Sequence, residues 1–166
     1  MAHLLLTKGF VAEIDDADYE WLLQWKWTAV VTGKNIKRVY AYRREGWDNT
    51  RRRWRSCVFL HRAVLDAPPE HDVDHINGDT LDNRRENLRL ATRSQNLANS
   101  RRAVGSTGFR GVTRTVSGEK MPFATQFRGR VIGRFETAEE AARAYDAAAH
   151  EEFGPFAKLN FAELRP

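Results

Sequence analysis

The spacing of apolar positions changes several times along the chain, and each change predicts an element. Leu4–Thr7 and Phe10–Ile14 are short apolar runs parted by Lys8-Gly9, which reads as two strands around a tight turn. Asp15 and Asp16 stand where helix caps stand, ahead of Tyr19, Trp21, Leu22 and Leu23. From Trp27 to Leu60 the pattern turns strand-like, with Val39, Tyr40, Tyr42, Trp54, Val58 and Phe59 set among arginines. Successive side chains of a strand point to opposite faces, so one face can pack while the other carries positive charge. His61–Leu65 predicts a short helix stopped by Pro68-Pro69.

Further on, Val73-Asp74-His75-Ile76 reads as a strand, Asn77-Gly78-Asp79 as a turn, Leu88-Arg89-Leu90 as a returning strand and Thr92–Asn99 as a helix. Together they predict a ββα unit. Arg101–Thr107 is small, polar and glycine-containing, which suits a linker. Gly108–Phe135 returns to a strand pattern with room for three strands and turn signals at Ser117-Gly118 and near Gly129. Thr137 and Glu140 form a capping box ahead of AEEAARAYDAAAHEEF, and Gly154-Pro155 closes that helix. Its Ala141, Ala142, Tyr145, Ala148 and Phe153 recur at helical intervals and read as core beneath the sheet. The predicted class is α+β in three parts: a β-rich module over 1–66, the ββα core over 67–100, a linker over 101–107, and a three-stranded sheet packed on one helix over 108–166.

Charge adds a partner to this picture. Lys and Arg number 27 against 22 acids in 166 residues, a modest +5 that is unevenly spread. Lys34 to Arg62 holds ten basic residues and two acids, and Arg84 to Arg114 holds eight arginines and one acid. Such local surplus predicts a polyanion, with Arg38, Arg43, Arg84, Arg89 and Arg93 as candidate contacts. Acids gather instead at Glu13–Glu20, Asp66–Asp82 and Glu136–Glu152. The 42% hydrophobic content excludes wholesale disorder, and the single Cys57 excludes an internal disulfide and a multi-cysteine zinc site. The opening MAHLLLTKGF lacks a signal-peptide layout and no apolar run approaches membrane length, which predicts a soluble, cytoplasmic protein with no obligate protein partner.

Chemistry concentrates between Val73 and Ser100. A ββα unit can bring the end of its first strand against its helix, so that Asp74 and Asn96 meet across a small cavity. Their oxygens suit a hard cation, Mg²⁺ or Mn²⁺, which also binds phosphate. His75 can take a proton from water, and the Asn87 amide can bond backbone across the loop and orient the imidazole. Such parts can hydrolyse a phosphodiester. Asp79, Asp82, Asn83 and Asn87 could instead merely satisfy a long polar turn; for Asp82 and Asn83 that plainer reading is adopted.

Asp74-His75, Asn77-Gly78, Asp82-Asn83-Arg84, Asn87-Leu88-Arg89, Thr92, Asn96 and Asn99 follow the pattern DHxNGxxxDNRxxNLRxxTxxxNxxN. Here the chain resembles the HNH endonucleases, in the branch of phage and intron-encoded homing enzymes. The resemblance implies Asp74 and Asn96 as metal ligands, His75 as general base, Asn87 as a structural residue, and cleavage of double-stranded DNA by nicking or by a double-strand break. Asn96 stands where most of the family carries His. A second resemblance covers Gly108 to Phe161, on GFRGV, TAEEAARAYDAAA and AKLNF: these pieces are similar to the AP2-type DNA-binding domain. It implies a sheet laid in the major groove, with Arg110, Arg128 and Arg130 at matching positions, Gln126 where plant members often carry Glu, and Arg114 as a further contact. Thr113 and Thr115 replace two arginines, so plant sequence preference does not carry over. The opening LTKGxxAxID, YAYR and LHRxVL resemble segments that precede HNH cores in phage endonucleases; there His61 reads as structural or phosphate-adjacent. A phage or mobile-element origin fits. Rival readings are a DNA-binding regulator with an inactive core and a non-specific nuclease.

Overall fold

The strand runs pair as antiparallel ladders, making four small sheets among the described residues. The computed structural model describes residues 1–33, 37–100, 104–115 and 120–161. The chain divides into two units, Met1–Arg93 and Ser94–Pro166.

In the first unit β1 (Ala2–Leu5) and β2 (Val11–Ile14) form a hairpin. The loop between them is a 3₁₀ turn over Thr7–Gly9, and Lys8 and Gly9 both take positive φ there. Thr7 thus leaves the strand predicted for it. Next comes α1 (Asp16–Leu22), then a meander of β3 (Thr28–Thr32), β4 (Arg38–Asp48) and β5 (Arg53–Phe59) with β4 in the middle. A short helix, α2 (Leu60–Leu65), ends at Asp66 in the left-handed region, ahead of the two prolines expected to stop it. Finally β6 (Asp72–His75) pairs with β7 (Leu88–Ala91) in the register Asp74 opposite Arg89 and His75 opposite Leu88. The helix α3 (Arg93–Ala98) follows, and the division between units falls at its first residue.

Two expectations change here. Asp15 is the N-cap residue of α1 but its side chain makes no cap bond; Asp16 instead binds the N-terminal ammonium. Nor do residues 1–66 hold a core separate from that of 67–100. Leu4, Ile14, Leu22, Trp27 and Leu60 pack in one buried cluster with Val73 and Leu88. A two-stranded sheet of four residues a side has too little apolar surface to bury by itself, so β6 and β7 complete a core begun by the preceding strands.

The second unit holds β8 (Val112–Arg114), β9 (Phe123–Phe127) and β10 (Arg130–Phe135), with β9 central, backed by α4 (Ala138–Phe153). The capping box is formed in full: Thr137 Oγ1 accepts from Glu140 N and the Glu140 carboxylate accepts from Thr137 N, both at 3.2 Å. Ala141, Ala142 and Ala149 are buried, whereas Ala148, Tyr145 and Phe153 are half-buried. Buried Asp146, unremarked in the sequence, accepts from the Asn160 and Phe161 amides at 2.8–2.9 Å, and Asn160 Oδ1 accepts from Arg110 N at 2.7 Å. The predicted turn at Ser117-Gly118 and the first three residues of the predicted linker lie outside the described residues. Among the described residues no helix is long and apolar enough to cross a membrane.

Candidate active site

β6 delivers Asp74 and His75 side by side at its end, both buried, at 4% and 6% exposure. The chain then turns back at Gly78, whose φ of 74° an L side chain rarely adopts. The loop is a run of Asx turns. Asn77 Oδ1 accepts from Asp79 N at 2.7 Å, Asp79 Oδ1 from Leu81 N at 3.0 Å, and Asp82 Oδ1 from Arg84 N at 3.3 Å. Asn87 fastens it: its Oδ1 accepts from Asn77 N at 2.9 Å, and its Nδ2 donates to the Asp82 carbonyl at 2.8 Å.

The loop is also tied to the strands before it. Glu13 and Asp82 form a parallel bridge, with Glu13 N donating to the Leu81 carbonyl at 2.9 Å and Asn83 N to the Glu13 carbonyl at 2.8 Å. Thr80 Oγ1 donates to the Val39 carbonyl at 2.6 Å. Arg85 donates through its backbone N to Asp15 Oδ2 at 2.8 Å, and its guanidinium holds Asp18 at 2.8 and 3.0 Å. Asp15 caps this turn rather than its own helix. Burial alone would raise the Asp18 carboxyl; hydrogen bonds from Arg85 and Trp21 outweigh it and hold Asp18 below its ordinary range.

Around His75 stand aromatic rings. His61 meets it edge-on with centroids 5.1 Å apart, Tyr40 at 6.3 Å, and His61 itself stacks on Phe59 at 5.5 Å and 19°. Burial pushes His61 down to about 3, helped by the neighbouring charges of His75 and Arg62, so it is neutral throughout the working range. Burial also pushes His75 below its ordinary value, against the upward pull of the Asn83 side chain and of Asp74, Asp79 and Asp82. His75 is therefore neutral near pH 7, the form that accepts a proton.

Asp74 already faces a cation. Arg89, directly across the ladder, donates Nε and Nη2 to Asp74 Oδ2 at 2.9 and 2.7 Å. Asn96 lies on α3, in the second unit. Among the described residues no three His, Cys, Asp or Glu side chains gather as a metal-binding group.

The candidate DNA contacts divide by what they already hold. Arg84 is bound by Asp82 and Glu86, with Glu13 at 3.9 Å; the Asp82 bond foremost fixes its positive charge. Arg43 pairs with Glu45 at 2.5 Å and lies 4.4 Å over the Trp25 ring. Arg110 donates to the Ser100 carbonyl at 2.8 Å, and Arg128, at the β9–β10 turn with φ 49°, pairs with Glu152. Arg114, Gln126 and Arg130 are exposed on the second unit's sheet. Arg38, half-buried, opens β4, and Arg93 is 83% exposed, 3.8 Å from Asp72.

Sequence reasoning read His61 only as structural or phosphate-adjacent and Asn83 as a turn residue, and it missed Asp15 and Asp18 as anchors of this site. Spacing does not mark these links, since 14 residues separate the two histidines and 67 separate Asp18 from Arg85.

Residues 66–98 match the family model described as HNH endonuclease. Over 104 residues the chain is 32% identical to an uncharacterized HNH endonuclease of Acanthamoeba polyphaga mimivirus, a match covering 61% of this chain and 54% of the relative. The chain thus spans about half the length of the curated relative it matches. No solved structure matches. The family match covers the Asp74-His75 strand, the Asn87-pinned loop and α3, and both comparisons support a nuclease: residues 66–98 of this chain are similar to an HNH endonuclease domain.

Proposed function

We propose that this chain is a metal-dependent endonuclease that hydrolyses phosphodiester bonds in double-stranded DNA, by a nick or a double-strand cut at a preferred site, as a homing-like enzyme would. The observation that carries the reading is the buried Asp74–His75 pair at the end of β6, held beside an Asn87-pinned loop inside the segment that matches the HNH model.

The donor chemistry fits a divalent cation. The Asp74 carboxylate is a hard ligand, as is an amide oxygen of the kind Asn96 carries, and few protein ligands leave room for waters and phosphate. The Arg89 guanidinium held on Asp74 Oδ2 supports this reading, since Asp74 already carries a positively charged partner. Bound there, Mg²⁺ or Mn²⁺ would share Asp74 with Arg89 or take its place, and would supply charge for the scissile phosphate and the leaving oxygen. His75 takes the proton of the attacking water, with its imidazole set against the His61 ring. Asn87 fixes the loop, so that His75 arrives already oriented.

The second unit, three strands backed by one capped helix, supports an AP2-like reading in which Arg114, Gln126 and Arg130 face DNA. A small core binds weakly alone, so attached binding units add affinity or site choice. A viral relative agrees with a mobile-element origin.

Supercoiled plasmid incubated with the protein and Mg²⁺ or Mn²⁺ is expected to convert to nicked or linear form, and EDTA or His75→Ala to stop it while duplex binding persists. Intact plasmid under every divalent ion would favour a DNA-binding regulator. Cut ends sharing no sequence would favour a non-specific nuclease.

A further inference from the structure

Beyond Tyr42, β4 loses β3 as a partner and pairs with β5 alone, through Asp48 opposite Arg53. This ribbon has two unlike faces. Trp47 and Trp54 lie directly opposite one another, edge to face with centroids 5.2 Å apart, and are 48% and 42% exposed. Along β5, alternation sends Arg53 and Arg55 to the other face, where Arg44 joins them because it pairs with Cys57. Gly46 makes room there: a Cβ at this position would sit 3.3 Å from Cδ of Arg55, whose stem lies across the ribbon. Arg51 and Arg52 occupy the tip, where Asp48 Oδ1 accepts from the amides of Thr50 and Arg51 at 3.0 and 3.1 Å.

The tryptophan pair has a structural use, since an isolated hairpin is marginal in water and cross-strand aromatics steady it. That use does not account for the arginines. Among the described residues Arg44, Arg51, Arg52, Arg53 and Arg55 have no carboxylate partner, whereas Arg43 at the base of the ribbon has Glu45. Five unneutralised guanidinium groups on one short ribbon match a dense, regular row of phosphates. A two-stranded ribbon is also a shape that the major groove, about 12 Å wide, admits.

We infer that the β4–β5 ribbon is a DNA-gripping finger that enters the major groove of the duplex, its arginines on the backbone phosphates and the Trp47–Trp54 face against base edges. The inference rests on the reading above that duplex DNA is the substrate. It adds the element that holds the duplex, which lies outside the family match at 66–98.

The test is binding of the whole chain to a labelled duplex by fluorescence anisotropy in EDTA across a salt series, with single-stranded DNA and double-stranded RNA of the same sequence alongside. Replacing Arg51, Arg52 and Arg53 together by Ala is expected to weaken duplex binding at least tenfold and to reduce the salt slope by roughly two to three, about 0.9 per lost phosphate contact. The exciton couplet of the Trp47–Trp54 pair in circular dichroism reports that the ribbon is still formed, and Trp47→Phe with Trp54→Phe tests the aromatic face while keeping an apolar pair. Wild-type affinity and slope in an arginine variant with its ribbon intact would overturn the inference. So would a wild-type chain that ignores duplex DNA or prefers the RNA. Plasmid nicking is measured separately on the wild-type chain, so binding that depends on the ribbon without nicking removes the nuclease reading alone, and nicking by a chain whose binding ignores the ribbon removes this inference alone.

Discussion

Two side chains next to His75 do different work, and substitution can separate them. Asn87 serves the backbone, accepting from Asn77 N and donating to the Asp82 carbonyl. Asn87→Ala leaves the buried Asp82 carbonyl and the part-buried Asn77 amide without this partner, and the expected loss is about 1–3 kcal/mol of stability in urea unfolding, together with loss of nicking. His61 touches the His75 ring itself. His61→Ala opens a gap on that side, so kcat for nicking should fall while KM for the duplex holds. His61→Phe preserves the stack on Phe59 and should restore most of the rate, and equal rates in the two variants would refute a positioning role. Of this site the sequence reveals the members that a local pattern ties together, Asp74, His75 and Asn87. The contact of His61 with His75 is not legible there, because it arises only where α2 and β6 share one core.

At the scale of elements, legibility followed how local the deciding interaction is. The α4 helix begins where expected because Thr137 and Glu140, three residues apart, satisfy each other's amides. The α1 cap failed as an expectation because Asp15 is taken by an amide 70 residues away. In the second unit, strand and helix meet over Gly111, which has φ 73°. A Cβ there would collide with the Tyr145 ring and lie 2.9 Å from the Gln126 carbonyl oxygen. Gly111→Ala is therefore expected to destabilise by about 2–3 kcal/mol or more, combining strain at positive φ with overpacking. Thermal unfolding checks it, and a change within 0.5 kcal/mol would contradict the packing described.

For the molecule as a whole, the separate N-terminal module read from charge sorting merges with β6 and β7, because burial and ion pairs link them where composition does not. The Asp18–Arg85 pair is one such link, and its contribution depends on pH. Asp18 titrates below its ordinary 3.8, so the pair's stabilisation is complete above that value and is lost as pH falls through the lowered one. Urea unfolding should find Asp18→Asn weaker than wild type by about 1.5–3 kcal/mol near neutral pH, with the gap closing in acid below the ordinary carboxylate range. A gap that persists in strong acid would show that the loss is one of packing rather than charge.

The bridge between Glu13 and Asp82 bears on how the segment matched to the HNH model could be reused. Cutting out 66–98 and splicing it into another scaffold would strand Arg85 without Asp15 and Asp18, Thr80 without the Val39 carbonyl and His75 without its ring of aromatic neighbours. The transplantable cassette reaches back to the first hairpin, and its smallest working version begins at β1.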